Sequence, residues 1–146
     1  MTRTHTIQLY LSEIFPSKFN LDKHYINLID SPTGTGKTCL MFELAKNESK
    51  TIIAFPYASQ VIQQEKYYSN FQFLHNTKKF DLDGPENICC TYDKLSSLIY
   101  QDLDLNNYIL HLDECHNLYT SAGYRNSVVF SIAQSIKNTM YTKVIM

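Results

Sequence analysis

Positive charge is scarce in this chain: 13 lysines and arginines stand against 14 acidic residues over 146 positions, for a formal net charge of −1. Only Arg3 and Arg125 are arginines. Binding nucleic acid through a broad positive field needs clustered Lys and Arg, so any such binding by this chain is expected to be weak and local. Long apolar runs are missing too, which excludes a membrane-spanning helix and leaves no membrane partner to expect. In MTRTHTIQLYLSEIF the apolar positions are interrupted by Gln8, Ser12 and Glu13. That suits an amphipathic helix better than a signal peptide and points to a soluble, cytoplasmic protein. The four cysteines, Cys39, Cys89, Cys90 and Cys115, contain no C-x-x-C, so neither a zinc knuckle nor a disulfide framework is indicated. Cys89 and Cys90 have no flanking basic residue to stabilise a thiolate and read as packing residues. There is no internal repeat and no low-complexity tract.

What is present is a globular balance, 44% hydrophobic and 18% charged, enough for one domain with a real core. Ile7, Tyr10, Leu11 and Ile14 repeat at helical spacing and Pro16 closes that segment, so residues 1–22 are expected to form an N-terminal helical piece. From residue 23 onward strands and helices alternate. HYINLID (24–30) reads as a strand ending in the loop SPTGTGKT (31–38). Beyond the loop, Leu40, Met41, Leu44 and Ala45 share a helical face. TIIAF (51–55), NICCTY, YILHLD (108–113) and KVIM read as further strands. YASQVIQQEKYY, DKLSSLIY and NSVVFSIAQSIKN carry helical stripes, with NTKKFDLDGPEN (76–87) as the one long loop. Such alternation predicts a mainly parallel sheet covered by helices on both faces, a three-layer α/β/α domain over 23–146.

Two stretches carry chemistry. SPTGTGKT matches the end of the G-x-x-x-x-G-K-[ST] pattern with Gly36, Lys37 and Thr38, while Ser31 stands where its first glycine would be. In such a P-loop, backbone N–H groups wrap phosphates, the lysine reaches the terminal ones and the hydroxyl holds magnesium. Gly34 and Gly36 allow close backbone approach to an anion, and the following helix directs its positive N-terminus there. LHLDECHNL (110–118) then ends an apolar strand in Asp113 and Glu114, suited to anchoring magnesium and orienting the attacking water. A zinc site made of His111, Cys115 and His116 is the rival. Those residues fit neither H-E-x-x-H nor paired C-x-x-C spacing, and no second ligand cluster accompanies them.

Taken together, SPTGTGKT and LDECH resemble motif I and the D-E-x-H box of superfamily 2 (DEAD/DEAH-box, DExH-type) helicases and translocases, in which alanine often occupies the place of Ser31. FPYASQVIQQ resembles motif Ia, with Pro56 after the strand and Gln63 in the family's glutamine position, though Tyr57 and Gln60 depart from its threonine and leucine. TYDKL (91–95) resembles the T-Y-x-x-L segment that lies near the nucleic-acid backbone in such proteins. The resemblance covers about residues 23–146. It implies a P-loop NTPase fold, the N-terminal RecA-like ATP-binding lobe of a helicase, working with ATP and Mg2+.

By that correspondence Thr33, Gly34, Thr35, Gly36, Lys37 and Thr38 hold the nucleotide, Thr38 and Asp113 hold the magnesium, and Lys37 and Glu114 are the catalytic pair. His116 would link nucleotide state to a track over Pro56, Gln63, Thr91 and Tyr92, DNA being expected over RNA. Ordinary turn and core duties are the alternative for those last four. Tyr67, Tyr68, Phe71 and Phe73, near Lys66, Lys78 and Lys79, could stack on bases, or, as aromatics usually do, finish a helix and enter the core.

In the family the strand after the D-E-x-H helix ends in motif III, and a second RecA-like lobe supplies arginines across the cleft. Here KVIM is the last segment, so the sequence reads as a lobe truncated before motif III, with the second lobe supplied in cis or in trans. Arg125, in AGYRN, reads as a helix-start surface residue and not as an arginine finger. Such a finger contributes about 10³ to 10⁵ in turnover, so very slow hydrolysis and no unwinding are expected of this chain alone. Two other readings stay open: another P-loop motor subunit, for packaging or restriction translocation, and a non-catalytic remnant that binds only nucleotide or a partner.

Overall fold

The computed structural model describes residues 26–146 apart from positions 33, 49, 102, 121, 122 and 124. The expected N-terminal helical segment, the first residues of the first strand and Thr33 lie outside the described residues. Six strands form one sheet: β1 (Ile26–Asn27), β2 (Thr51–Phe55), β3 (Phe71–Leu74), β4 (Asn87–Thr91), β5 (Ile109–Leu112) and β6 (Lys143–Ile145). Five helices connect them: α1 (Lys37–Lys46), α2 (Ala58–Glu65), α3 (Tyr92–Tyr100), α4 (His116–Thr120) and α5 (Asn126–Asn138). The spatial order is β1-β6-β5-β2-β4-β3 and every pairing is parallel. The fold is therefore the α/β, RecA-like P-loop architecture that the alternation implied. β1 is short, but its ladder with the last strand continues past its ends, through Ile29 N–H to Met146 O at 2.8 Å and Met146 N–H to Asn27 O at 2.9 Å.

Alternation along β2 shows how the layers are filled. Ile52 and Ala54 face a core completed by Leu95 and Leu98 of α3 and Ile132 of α5, whereas Ile53 and Phe55 face Met41, Phe42 and Ala45 of α1 and Val61 of α2. All five residues of β2 are buried, as a parallel strand covered on both faces requires. Cys89 and Cys90 point to opposite cores, and burial pushes both thiols well above their ordinary range. They are packing residues.

β3 is the element that periodicity missed. Phe71, Phe73 and Tyr68 read as a helix end running into the core. Phe71 and Phe73 instead lie on an edge strand paired to β4, and the Tyr68 ring stacks on Phe42 at 3.9 Å between centroids. Phe71 meets the same ring edge-on at 5.1 Å. Three of the four aromatics thus complete the α1 side of the core, and Tyr67 alone is largely exposed, at 73%. Four residues of half-buried edge strand carry too short an alternation to be told from a helix end.

His111 lies in the middle of β5, 1% exposed, between Ile53 and Ile145. Its Nδ1 has no hydrogen-bond partner. Burial, with the nearby Lys143 charge as a lesser cause, holds its pKa down to about 3. An unfolded chain would protonate this imidazole near its ordinary value of about 6.5, so between those limits the unfolded state binds the extra proton and stability falls as pH is lowered. The slope from this one group reaches at most about 1.4 kcal/mol per pH unit. Urea unfolding midpoints measured from neutral pH down to about pH 5 should therefore fall in the native chain and fall measurably less in His111→Leu.

Candidate nucleotide site

All strands run the same way, so the loops that follow β1 and β5 emerge at one edge of the sheet, with β6 between their strands. Ligands of open parallel sheets bind at that carboxyl edge. The loop after β1 closes on itself: Thr35 Oγ1 donates to Pro32 O at 2.8 Å and shares a hydrogen bond with Ser31 Oγ at 2.8 Å. Gly34 and Gly36 hold φ values of 82° and 86°, a left-handed conformation that costs a residue with a Cβ roughly 1–2 kcal/mol. That is the physical demand behind both glycines. Nothing lies within 4 Å of where a Cβ on Gly34 would sit, so backbone conformation, not space, selects glycine there.

Gly36 is also the residue that opens α1, and no side chain caps the helix there. The N–H groups of the first turn and the positive end of the helix dipole are thus offered to an anion. Lys37, the first residue of α1, folds its ammonium back onto the loop, donating to Ser31 O and to Pro32 O at 3.4 Å. In this way the cation is held at the loop itself, where phosphate oxygens would replace the carbonyls as partners.

Thr38 is the next residue of α1. Its hydroxyl donates to Asp113 Oδ2 at 3.4 Å, joining two residues far apart in the chain. Asp113 follows β5 directly and is held there by its own N–H bonded to Ala54 O at 3.0 Å and by the Tyr92 hydroxyl donating to its carbonyl. At 4% exposure its carboxyl is pushed above the ordinary range, first by burial and then by Glu114, against the opposing pull of Lys37. Such a carboxylate has a standing need for a cation. Magnesium takes oxygen ligands near 2.0–2.1 Å in octahedral geometry, which sets neighbouring ligand oxygens about 2.9 Å apart. A 3.4 Å pair of hydroxyl and carboxylate oxygens fits that donor set with little adjustment, directly or through a water on Asp113.

Glu114 stands beside it with φ of 54°, an uncommon conformation for a residue other than glycine. Its carboxylate is 3.3 Å from His116 Nδ1. His116, which opens α4, is exposed; His111 is buried within the sheet. The two imidazoles and Cys115 do not converge, and among the described residues no group of three His, Cys, Asp or Glu side chains is placed to hold a metal ion.

The four residues matched to a nucleic-acid track have different surroundings. Pro56, Thr91 and Tyr92 are buried: Pro56 O accepts from Arg125 Nη1 at 3.2 Å, Thr91 caps α3 by accepting from Lys94 N–H at 3.2 Å, and Tyr92 holds Asp113. Gln63 is exposed on α2. Tyr57, noted only as a departure from the motif, is 49% exposed beside them and donates its hydroxyl to Asn117 Oδ1 at 3.4 Å. Arg125 does precede α5, but its guanidinium turns inward and also meets Asp93 at 3.6 Å. Tertiary contacts alone distinguish Tyr57, Asn117 and Arg125: Tyr57 departs from the motif Ia pattern in which it sits, and the other two lie outside the motifs.

The glycine loop, its lysine, the hydroxyl of Thr38 and the carboxylate at the end of β5 define the class: a P-loop ATPase lobe of RecA-like fold. The family model described as "Type III restriction enzyme, res subunit" matches residues 3–143, and the chain belongs to that family of superfamily 2 helicase N-terminal domains. It is accordingly an ATP-dependent, helicase- or restriction-type motor domain. Members of such P-loop families use ATP with Mg2+ and act on nucleic acid. A search of curated proteins finds no match. No helix of the described residues is long and apolar enough to cross a membrane.

The backbone at Gly36 yields a direct test. Gly36→Ala should lower unfolding stability by about 1–2 kcal/mol in urea titration, whereas Gly36→Asn, whose side chain tolerates the left-handed region, should recover most of that loss.

Proposed function

We propose that residues 23–146 form the first, ATP-binding lobe of a DExH-type motor that couples Mg-ATP hydrolysis to movement along DNA, with residues 1–22 as an appended N-terminal segment. The observation that carries this reading is the Thr38–Asp113 contact. It unites the loop that wraps phosphates with the carboxylate that anchors their metal. In this assignment the N–H groups of 33–38 and the Lys37 ammonium bind the phosphates, while Thr38 and Asp113 hold Mg2+. The ion, when bound, neutralises charge on the terminal phosphates. Glu114 orients the attacking water and accepts its proton, and His116 neighbours that carboxylate.

Nucleic acid runs over the outer ends of β2 and β4, where Tyr57 is exposed, and towards Gln63, exposed on α2. DNA is favoured over RNA because the family is described by a restriction enzyme subunit. The same description favours a restriction-type translocase over a strand-separating helicase. With a net charge of −1, this lobe grips nucleic acid weakly by itself, and a second RecA-like lobe supplies the remaining charge contacts and the arginines of the cleft.

Titration of the chain with a fluorescent ATP analogue, with and without Mg2+, tests the site. Binding should be magnesium-dependent, should weaken at least about 100-fold in Lys37→Ala, and should persist in Glu114→Gln, in which any residual hydrolysis disappears. A folded Lys37→Ala chain that binds as tightly as the native one would refute the phosphate assignment.

A further inference from the structure

The turn that follows Asp113 is held by a residue outside every motif. Asn117, in α4, donates its backbone N–H to Glu114 O at 2.9 Å and its side-chain Nδ2 to the same carbonyl at 3.2 Å. Two donors on one carbonyl pin the peptide whose left-handed φ of 54° sets the direction of the Glu114 side chain. Nδ2 also lies 3.3 Å from His116 Nε2, whose other nitrogen faces the Glu114 carboxylate at 3.3 Å. On its far side, Asn117 Oδ1 accepts the Tyr57 hydroxyl at 3.4 Å.

Donors and acceptors agree along the whole chain. Tyr57 O–H donates to Oδ1. Nδ2 spends one hydrogen on the Glu114 carbonyl, and in the tautomer of His116 that carries its proton on Nδ1, Nε2 accepts the other while Nδ1–H donates to the carboxylate. Each group has a single consistent role. Tyr57 is tied in turn to the helix that it precedes, because its N–H donates to Gln60 Oε1 at 3.2 Å and so closes the first turn of α2.

We propose that Asn117 is a positioning residue for Glu114 and that the Tyr57–Asn117 hydrogen bond is the link by which DNA on the β2–α2 turn and nucleotide on the P-loop sense one another. The inference rests on the assignment of the nucleotide site and the DNA track made above. Tyr57 is 49% exposed, and its hydroxyl reaches Asn117 in a hydrogen bond on the surface beside the track. A ligand that shifts the ring therefore moves the partner of Asn117, and with it the carbonyl that orients Glu114. Because coupling between two bound ligands is reciprocal, it can be read from equilibrium binding without any turnover.

The experiment measures the affinity of the whole chain for a non-hydrolysable ATP analogue with Mg2+, at low salt, in the absence and in the presence of a saturating short DNA duplex. Native chain, Tyr57→Phe, Asn117→Ala and the double variant are compared. The native ratio of affinities should differ from one by about 5-fold or more. Tyr57→Phe, which keeps the ring and loses only the hydroxyl, should bring the ratio close to one while nucleotide affinity in the absence of DNA stays within about 2-fold of native. Asn117→Ala should do the same, and the double variant should add nothing further.

Where hydrolysis is measurable, Asn117→Ala should also lower kcat with little change in nucleotide affinity, a split that mere loosening of the fold would not give. A ratio that stays native in Tyr57→Phe overturns the proposal, as does a native ratio of one with both ligands bound. Failure of the native chain to bind the analogue or the duplex at all instead overturns the site or track assignment, and the proposal falls with it.

Discussion

The loop edge depends on β5 being held from both sides. Its backbone pairs with β2 in a register that sets Ala54 against Leu112, and with β6 in a register that sets Ile145 against His111. Asp113 begins where that ladder ends, its N–H still bonded to Ala54 O. A slip of one residue would exchange the two faces of the strand, burying Leu110 and Leu112 where His111 and Asp113 now stand. The apolar faces of β2 and β5 forbid that slip, because each strand is buried on both sides. Hydrophobic register therefore fixes the place of a carboxylate that the same hydrophobicity makes costly.

The candidate site concentrates groups in states that an ordinary core avoids. Asp113 is a buried carboxyl raised by its surroundings, Glu114 has a left-handed backbone, and His111 is a neutral imidazole with an unpartnered nitrogen two residues away. Lys37 is held on loop carbonyls and α1 has no side-chain cap. A cation between Thr38 and Asp113 would relieve the buried carboxyl, and an anion at the loop would take up the uncapped N–H groups of α1 and the Lys37 ammonium. A P-loop family works by positioning and electrostatics more than by covalent chemistry, and local strain of this kind is where such function is usually found.

Much of this was legible in the residue order. TIIAF and NSVVFSIAQSIKN coincide with β2 and α5, since a buried parallel strand is continuously apolar and an amphipathic helix repeats every three or four residues. The loop glycines, Lys37, Thr38 and the Asp-Glu pair stood out because their chemistry demands those residues at short, fixed spacings. β3 was not legible, being a brief edge strand led by aromatics that fit a helix end equally well. Nor were the duties of Pro56, Thr91 and Tyr92, because burial and partners across the sheet, which no local pattern records, separate a surface residue from a capping or bracing one.

Local sequence thus determined the alternation of strands and helices, the left-handed glycines, and the phosphate-loop motif, all of which are set within a few residues. Tertiary structure alone decided that β6 lies between β1 and β5, that the Thr38 hydroxyl meets the Asp113 carboxylate, and that Tyr57 reaches Asn117 across the loop edge. Those outcomes depend on strand order and register. These are set by how whole faces bury against one another, a property of the assembled sheet that no single segment carries.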